Sequence, residues 1–262
     1  MKPIIVAIDF SENSKDALQY VFQYAASIGN VPVVLYHSME PNAFEEAESF
    51  VQQLKEWGSE DSGSLKLYFE TNKYSLEDGI ELLIEKYDAG LIIMGITGKN
   101  KIGQKLIGSQ VFKIVENALL PVMIIPAGVI YEPIKHVALA IPFIPELKER
   151  VPHAEILKWI RVLKAGLTII NVGQKKEDKQ DIYQGLAALF EMFDEDEAEY
   201  HFPSGSNVAG LILDYVKKNE VQMIASISGS YGFLERLFKP SVTKKVAYGS
   251  KVPMIVFPQH EI

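Results

Sequence analysis

A large part of this 262-residue chain occurs twice. Lys2-Pro3-Ile4-Ile5-Val6-Ala7-Ile8 returns as Lys135-His136-Val137-Ala138-Leu139-Ala140-Ile141, 133 residues later. Leu120-Pro121-Val122-Met123-Ile124-Ile125-Pro126 returns as Val252-Pro253-Met254-Ile255-Val256-Phe257-Pro258, 132 residues later and with both prolines kept. Ile92-Ile93-Met94 corresponds to Met223-Ile224-Ala225, and Ser109 to Ser241. A nearly constant offset at both ends of each half means duplication of a whole domain rather than of a short motif. The expected domains are 1–128 and 133–262, meeting in the short segment Ala127–Pro133, which contains Gly128 and Pro133.

Hydrophobic periodicity alternates strand and helix along the first copy. Ile4–Ile8, Val33–Tyr36, Leu65–Glu70, Leu91–Met94 and Val122–Ile125 read as strands. Ser14–Ile28 carries apolar residues at 17, 18, 21, 22 and 25, a helical stripe that Gly29 ends. Ala43–Trp57 reads as a second helix. Ser75 with Asp78 forms a capping-box pattern opening a third, to Tyr87. Ser109–Leu119 is the fourth. The second copy repeats this order near residues 134–141, 154–164, 167–172, 181–193, 198–202, 206–218, 222–227, 241–249 and 253–257. Apolar strands separated by helices predict an α/β fold: two tandem doubly wound parallel five-stranded sheets with helices on both faces.

Composition narrows the function. Hydrophobic residues make up 48%, enough for two cores, and there is no cysteine, so neither a disulfide nor a thiolate metal site. The net charge of −8 argues against broad nucleic-acid binding. It is unevenly spread, −7 over residues 1–130 and −1 over the rest. The longest apolar stretch, Ala118–Ile130, is broken by Pro121 and Pro126 and is too short to span a bilayer. The start does not read as a signal peptide, so a cytoplasmic setting without a membrane partner is expected.

Against this acidic background one segment is basic. Gly95-Ile96-Thr97-Gly98-Lys99-Asn100-Lys101-Ile102-Gly103-Gln104-Lys105-Leu106-Ile107-Gly108-Ser109 holds three lysines and no acid, and it joins a strand end to a helix start. Glycines allow close backbone approach to a ligand. A helix N-terminus presents unpaired N–H groups and the positive end of a dipole, which suits phosphate. In a doubly wound sheet, ligands sit where the winding reverses, at the carboxyl ends of strands. Asp9-Phe10-Ser11, His37-Ser38 and the glycine loop should converge there. Each feature also has a structural reading: glycines as turn punctuation, Asp9 or Ser109 as helix caps, His37 as a framework residue.

The spacing Gly95, two residues, Gly98, nine residues, Gly108, then Ser109 resembles the ATP-binding signature of the universal stress protein family. Val6-Ala7-Ile8-Asp9-Phe10-Ser11 and the strand end Leu35-Tyr36-His37 look like the family as well, and the whole chain looks like a tandem member. The resemblance implies an adenine nucleotide alpha hydrolase-like fold and ATP, with or without magnesium or manganese. It implies that Asp9 binds adenine or ribose, that Ser38 lies on the adenine side, and that Met94 and Gly95 contact the nucleotide by backbone. Gly98, Gly108 and Ser109 would hold ribose and phosphates, and Gln110 and Val111 would continue the cradle. It further implies pairing of the two domains through their last strands, an unidentified protein partner and at most slow ATP hydrolysis. A homodimer of the full chain stays open.

The second copy departs from the signature. Pro142 stands for Asp9, Ser226 for Gly95 and Pro240 for Gly108, and ten residues instead of nine separate Gly229 from Pro240. One nucleotide per chain is therefore expected. No P-loop, dinucleotide fingerprint or nucleophile elbow is present, and no general base is evident. The alternatives are a scaffold that binds no nucleotide, and a slow ATPase or phosphotransferase.

Overall fold

The computed structural model describes residues 2–9, 11–38, 52, 65–96, 105–141, 147–172, 179–193, 198–228 and 240–259, without the side chains of 12, 105–109, 179–181, 240 and 241. The chain divides into two compact units, residues 1–114 with 120–133, and residues 115–119 with 134–262.

The first unit contains β1 (Ile4–Ala7), α1 (Glu12–Ser27), β2 (Val33–Ser38), β3 (Leu67–Asn72), α2 (Leu76–Tyr87), β4 (Leu91–Ile96), α3 (Lys105–Asn117) and β5 (Val122–Pro126). The expected helix over Ala43–Trp57 lies outside the described residues, save Gln52. All pairings are parallel, in the order β3-β2-β1-β4-β5. The winding runs outward through β2 and β3, returns, and leaves the other way through β4 and β5. Right-handed crossovers then put helices on opposite faces. That explains why β1, β2, β4 and β5 read as continuous apolar runs: Ile4, Ile5, Val34, Ile92, Ile93, Met123 and Ile124 are fully buried. Edge strand β3 is only half-buried. It is tied to α2 through Glu70, which accepts hydrogen bonds from Lys86 (2.6 Å) and Tyr87. Burial alone would raise the Glu70 pKa, but these two donors outweigh it and hold the carboxyl below its ordinary value.

The second unit contains β6 (His136–Ala140), α4 (Leu147–Arg150), α5 (His153–Leu163), β7 (Gly166–Ile170), α6 (Lys179–Phe193), β8 (Glu199–His201), α7 (Val208–Lys218), β9 (Met223–Ile227), α8 (Pro240–Gly249) and β10 (Met254–Phe257). Its order, β10-β9-β6-β7-β8, is the first unit's order over again. Two prolines, Pro145 and Pro152, bracket α4, so the first crossover has a short helix followed by a longer one.

The duplication extends to the backbone. Among the described residues, four that are not glycine have positive φ: Asn30 at 55°, Asp88 at 48°, Lys164 at 54° and Glu220 at 49°. They form two pairs, Asn30 with Lys164 and Asp88 with Glu220, at the same offsets as the sequence repeat. Each follows a helix that must turn into a strand. The left-handed conformation costs a residue with a side chain about 1–2 kcal/mol, yet both copies keep it.

Candidate functional site

Strand β1 lies between β2 and β4, so the winding of the first unit reverses at the carboxyl ends of β1 and β4. Asp9 follows β1 there. Its backbone and side chain are both fixed locally. Oδ1 accepts from the Ser11 backbone N–H (3.2 Å), the Ser11 hydroxyl (2.7 Å) and the Ser14 hydroxyl. The Asp9 N–H donates in turn to Ser14 Oγ at 3.1 Å. Ser11 is the N-cap of α1, extended at φ −70° and ψ 159°, with Oγ accepting from the Ser14 N–H. Asp9 thus shapes the helix start, as the capping reading expected, while all three printed bonds fall on one carboxylate oxygen. Its other oxygen takes none of them.

Beside Asp9 is a crevice of about 50 Å³, lined by Ala7, Ile8, Asp9, Ser11, Asn13, Ser14, Leu76, Met94, Gly95 and Gln110. Its polar groups are a carboxylate, two hydroxyls and two amides, and no lining side chain is cationic. The volume suits a hydroxyl or the edge of a ring; whole-ligand pockets run to roughly 300–1,000 Å³. Gly95 has a packing reason of its own. A Cβ there would come 3.2 Å from the Asn13 carbonyl and 3.3 Å from the Ala17 methyl, so its bareness lets α1 lie close on β4.

The other expected residues are distributed as follows. Met94 is buried at the end of β4 and lines the crevice with Gly95. Strand β2 runs on through His37 and Ser38, two residues further than expected. The Ser38 hydroxyl donates to the Tyr74 carbonyl (2.7 Å), and Ser38 is not among the crevice residues. His37 has Nδ1 against the Ile8 carbonyl at 2.8 Å, a framework contact. Gly98 lies outside the described residues.

One expectation is corrected. Helix α3 begins at Lys105, not at Ser109, so Ser109 is not an N-cap and Gly108 sits inside the first turns. Helical geometry commits the N–H groups of Ser109, Gln110 and Val111 to carbonyls four residues back. The free donors belong to the helix start near Lys105. Val111 is fully buried, whereas Gln110 is exposed and reaches the crevice. Asn13, Ser14 and Leu76 were not singled out beforehand. The polar run Ser11-Glu12-Asn13-Ser14 at a strand end was the available signal.

At the corresponding place in the second unit the framework persists and the polar crevice groups do not. Asn171 Nδ2 donates to the Ile141 carbonyl at 2.9 Å, taking the role of His37 against Ile8. Ile141 N–H bonds to the Ile170 carbonyl just as Ile8 N–H bonds to that of Tyr36. Ser226, opposite Gly95 in the repeat, is sealed inside β9 with its hydroxyl unpartnered, and Asn171 Oδ1 is also buried without a partner. Pro142 lies outside the described residues. Pro240 is the first residue of α8, a position where a missing N–H disturbs the helix least.

Elsewhere in the first unit, Tyr20 packs on Tyr24 and edge-on against Tyr131. Burial pushes its hydroxyl pKa up, with both tyrosines adding to the shift. Among the described residues no three His, Asp or Glu side chains gather as a metal site, and no helix is long and apolar enough to cross a membrane.

Comparison with known proteins places this architecture. Residues 1–126 match the model of the universal stress protein family. No curated protein matches the sequence. Among solved structures, a universal stress protein from Archaeoglobus fulgidus DSM 4304 superposes with a TM-score of 0.71 at 18% identity, covering 99% of this chain and 97% of that one. A functionally unknown protein from Pseudomonas aeruginosa PAO1 gives 0.62 at 15% identity, covering 99% and 93%. The cytoplasmic domain of a prokaryotic cation chloride cotransporter gives 0.52 at 12% identity, covering 97% and 94%. At such identities these likenesses concern the fold. The family match and the repeated topology together make the chain a tandem member of the universal stress protein family, which it enters through residues 1–126.

Proposed function

We propose that the first unit binds ATP and that nucleotide occupancy regulates the protein's interactions in a stress response. The observation that carries this reading is Asp9. Its carboxylate is held at the reversal of the winding with one oxygen satisfied locally, above a crevice of uncharged polar groups. Such a set fits the sugar or base end of a nucleotide. The remaining carboxylate oxygen accepts from a ribose hydroxyl or a base N–H, and Met94 and Gly95 contribute backbone contacts. Gln110 adds an amide at the rim. Gly98, Gly108 and Ser109 complete the family spacing toward the phosphates, which the free N–H groups at the start of α3 suit. Ser38 and Val111 support the site from behind, through β2 and the core.

ATP, with any magnesium or manganese it carries, supplies the phosphoryl charge that distinguishes the occupied protein from the empty one. The chain's own contribution is to hold it. Asp9, the one carboxylate on the crevice, is already engaged with Ser11 and Ser14, so the arrangement favours binding over hydrolysis.

Calorimetric titration of the full chain tests the proposal. Asp9→Ala and Gly98→Val should each weaken ATP at least tenfold, about 1.4 kcal/mol. Unchanged affinity in both folded variants rejects it.

A further inference from the structure

Asn13 is the second residue of α1 and nine-tenths buried, with 9% of its surface exposed. A residue so enclosed is expected to have its amide matched. Asn13 has no side-chain hydrogen bond to any described residue, printed or left out. Its polar atoms are nevertheless not among those sealed from solvent. The residue lines the crevice beside Asp9. An amide with two donor hydrogens and one acceptor is therefore built into the wall of the crevice and turned to no protein partner.

The surroundings indicate what it meets. Asp9 is the only charged side chain lining the crevice, and it is negative; the rest are hydroxyl, amide or apolar. A phosphate would face that carboxylate with no cation beside it. A hydroxyl or a ring edge that both gives and accepts hydrogen bonds would find a match in Asn13. We infer that Asn13 is a ligand-contacting residue that reads the uncharged nucleoside portion of the nucleotide and leaves the phosphates to other groups. This inference rests on the nucleotide reading of the same crevice and adds a residue outside the glycine signature.

The test uses the full chain, ATP in calorimetry and adenosine as a competitor. Asn13→Ala removes the amide, and alanine is a good helix residue, so the ligand-free melting temperature should hold. ATP affinity should fall about tenfold, the size of one lost hydrogen bond with its unmatched partner. Adenosine should lose potency by the same factor. If Asn13→Ala melts early, Asn13→Asp keeps the shape, suits the first turn of a helix and lacks the donor pair; the same loss is expected. Wild-type binding with equal ATP affinity in the folded variant overturns the inference and leaves the nucleotide reading standing. A loss confined to ATP, with adenosine unaffected or unable to compete against the wild type, overturns it too. Failure of the wild type to bind ATP overturns the nucleotide reading itself.

Discussion

Asp9 and Ser226 show how differently single residues can be read. Asp9 is legible from the sequence because a carboxylate directly after a buried strand has few purposes, and two of them, capping and ligand contact, coexist in the structure. Asn13 and Ser14 were not legible. Polar residues just after an N-cap look like solvated helix surface, and only the approach of β4 through Gly95 turns them inward. Ser226 was read correctly as replacing Gly95, but its cost depends on burial, which the sequence does not give. The hydroxyl sits in the middle of β9 with nothing to bond. A buried, unmatched hydroxyl is worth less than no hydroxyl. Ser226→Ala should stabilise the second unit by about 1 kcal/mol, seen as slower hydrogen exchange at the β9 amides. Faster exchange would show that Ser226 has a partner in solution.

Elements with explicit boundary chemistry were predicted closely. Ser75 caps α2 through the Asp78 N–H (3.1 Å), and the helix ends at Tyr87, as the capping box and the apolar spacing required. Helix α3 was misplaced by four residues because Gly108 was read as loop. Lys105, Leu106 and Ile107 are good helix formers, and one internal glycine costs only about 1 kcal/mol, so the helix runs through it. Strand β2 was read two residues short because His37 and Ser38 are polar; they extend it by pairing with Thr71 and Asn72 of β3. Gly79, inside α2, gives an expectation contrary to propensity. Alanine would ordinarily gain about 1 kcal/mol at a helical glycine. Here its Cβ would fall on the Tyr36 hydroxyl, which is buried and donates to Asn72 Oδ1 at 2.8 Å. Overpacking of this kind costs about 1–3 kcal/mol. Gly79→Ala should therefore lower the denaturation midpoint of the first unit, and a raised midpoint would mean that α2 can shift away from β2.

At the scale of the molecule, duplication was the most legible property, since it needs only the sequence compared with itself. The structure returns it as one strand order used twice and two pairs of left-handed residues. What the comparison could not supply was the state of each site, because a polar residue and its replacement differ in meaning only once their neighbours are known. The copies differ most at the crevice. Asp9 has become Pro142 and Gly95 has become Ser226, with a loop one residue longer before Pro240. Titration with ATP should accordingly saturate at one equivalent per chain. Two equivalents of similar affinity would mean that the second unit binds by other groups. The bond from His37 to Ile8 and its counterpart from Asn171 to Ile141 have a practical consequence. Each reports whether its own sheet is intact at the place where a ligand would sit. The second unit is thus a reference standard carried on the same chain: temperature, salt or denaturant disturbs both signals, whereas a ligand specific to the first crevice displaces only one.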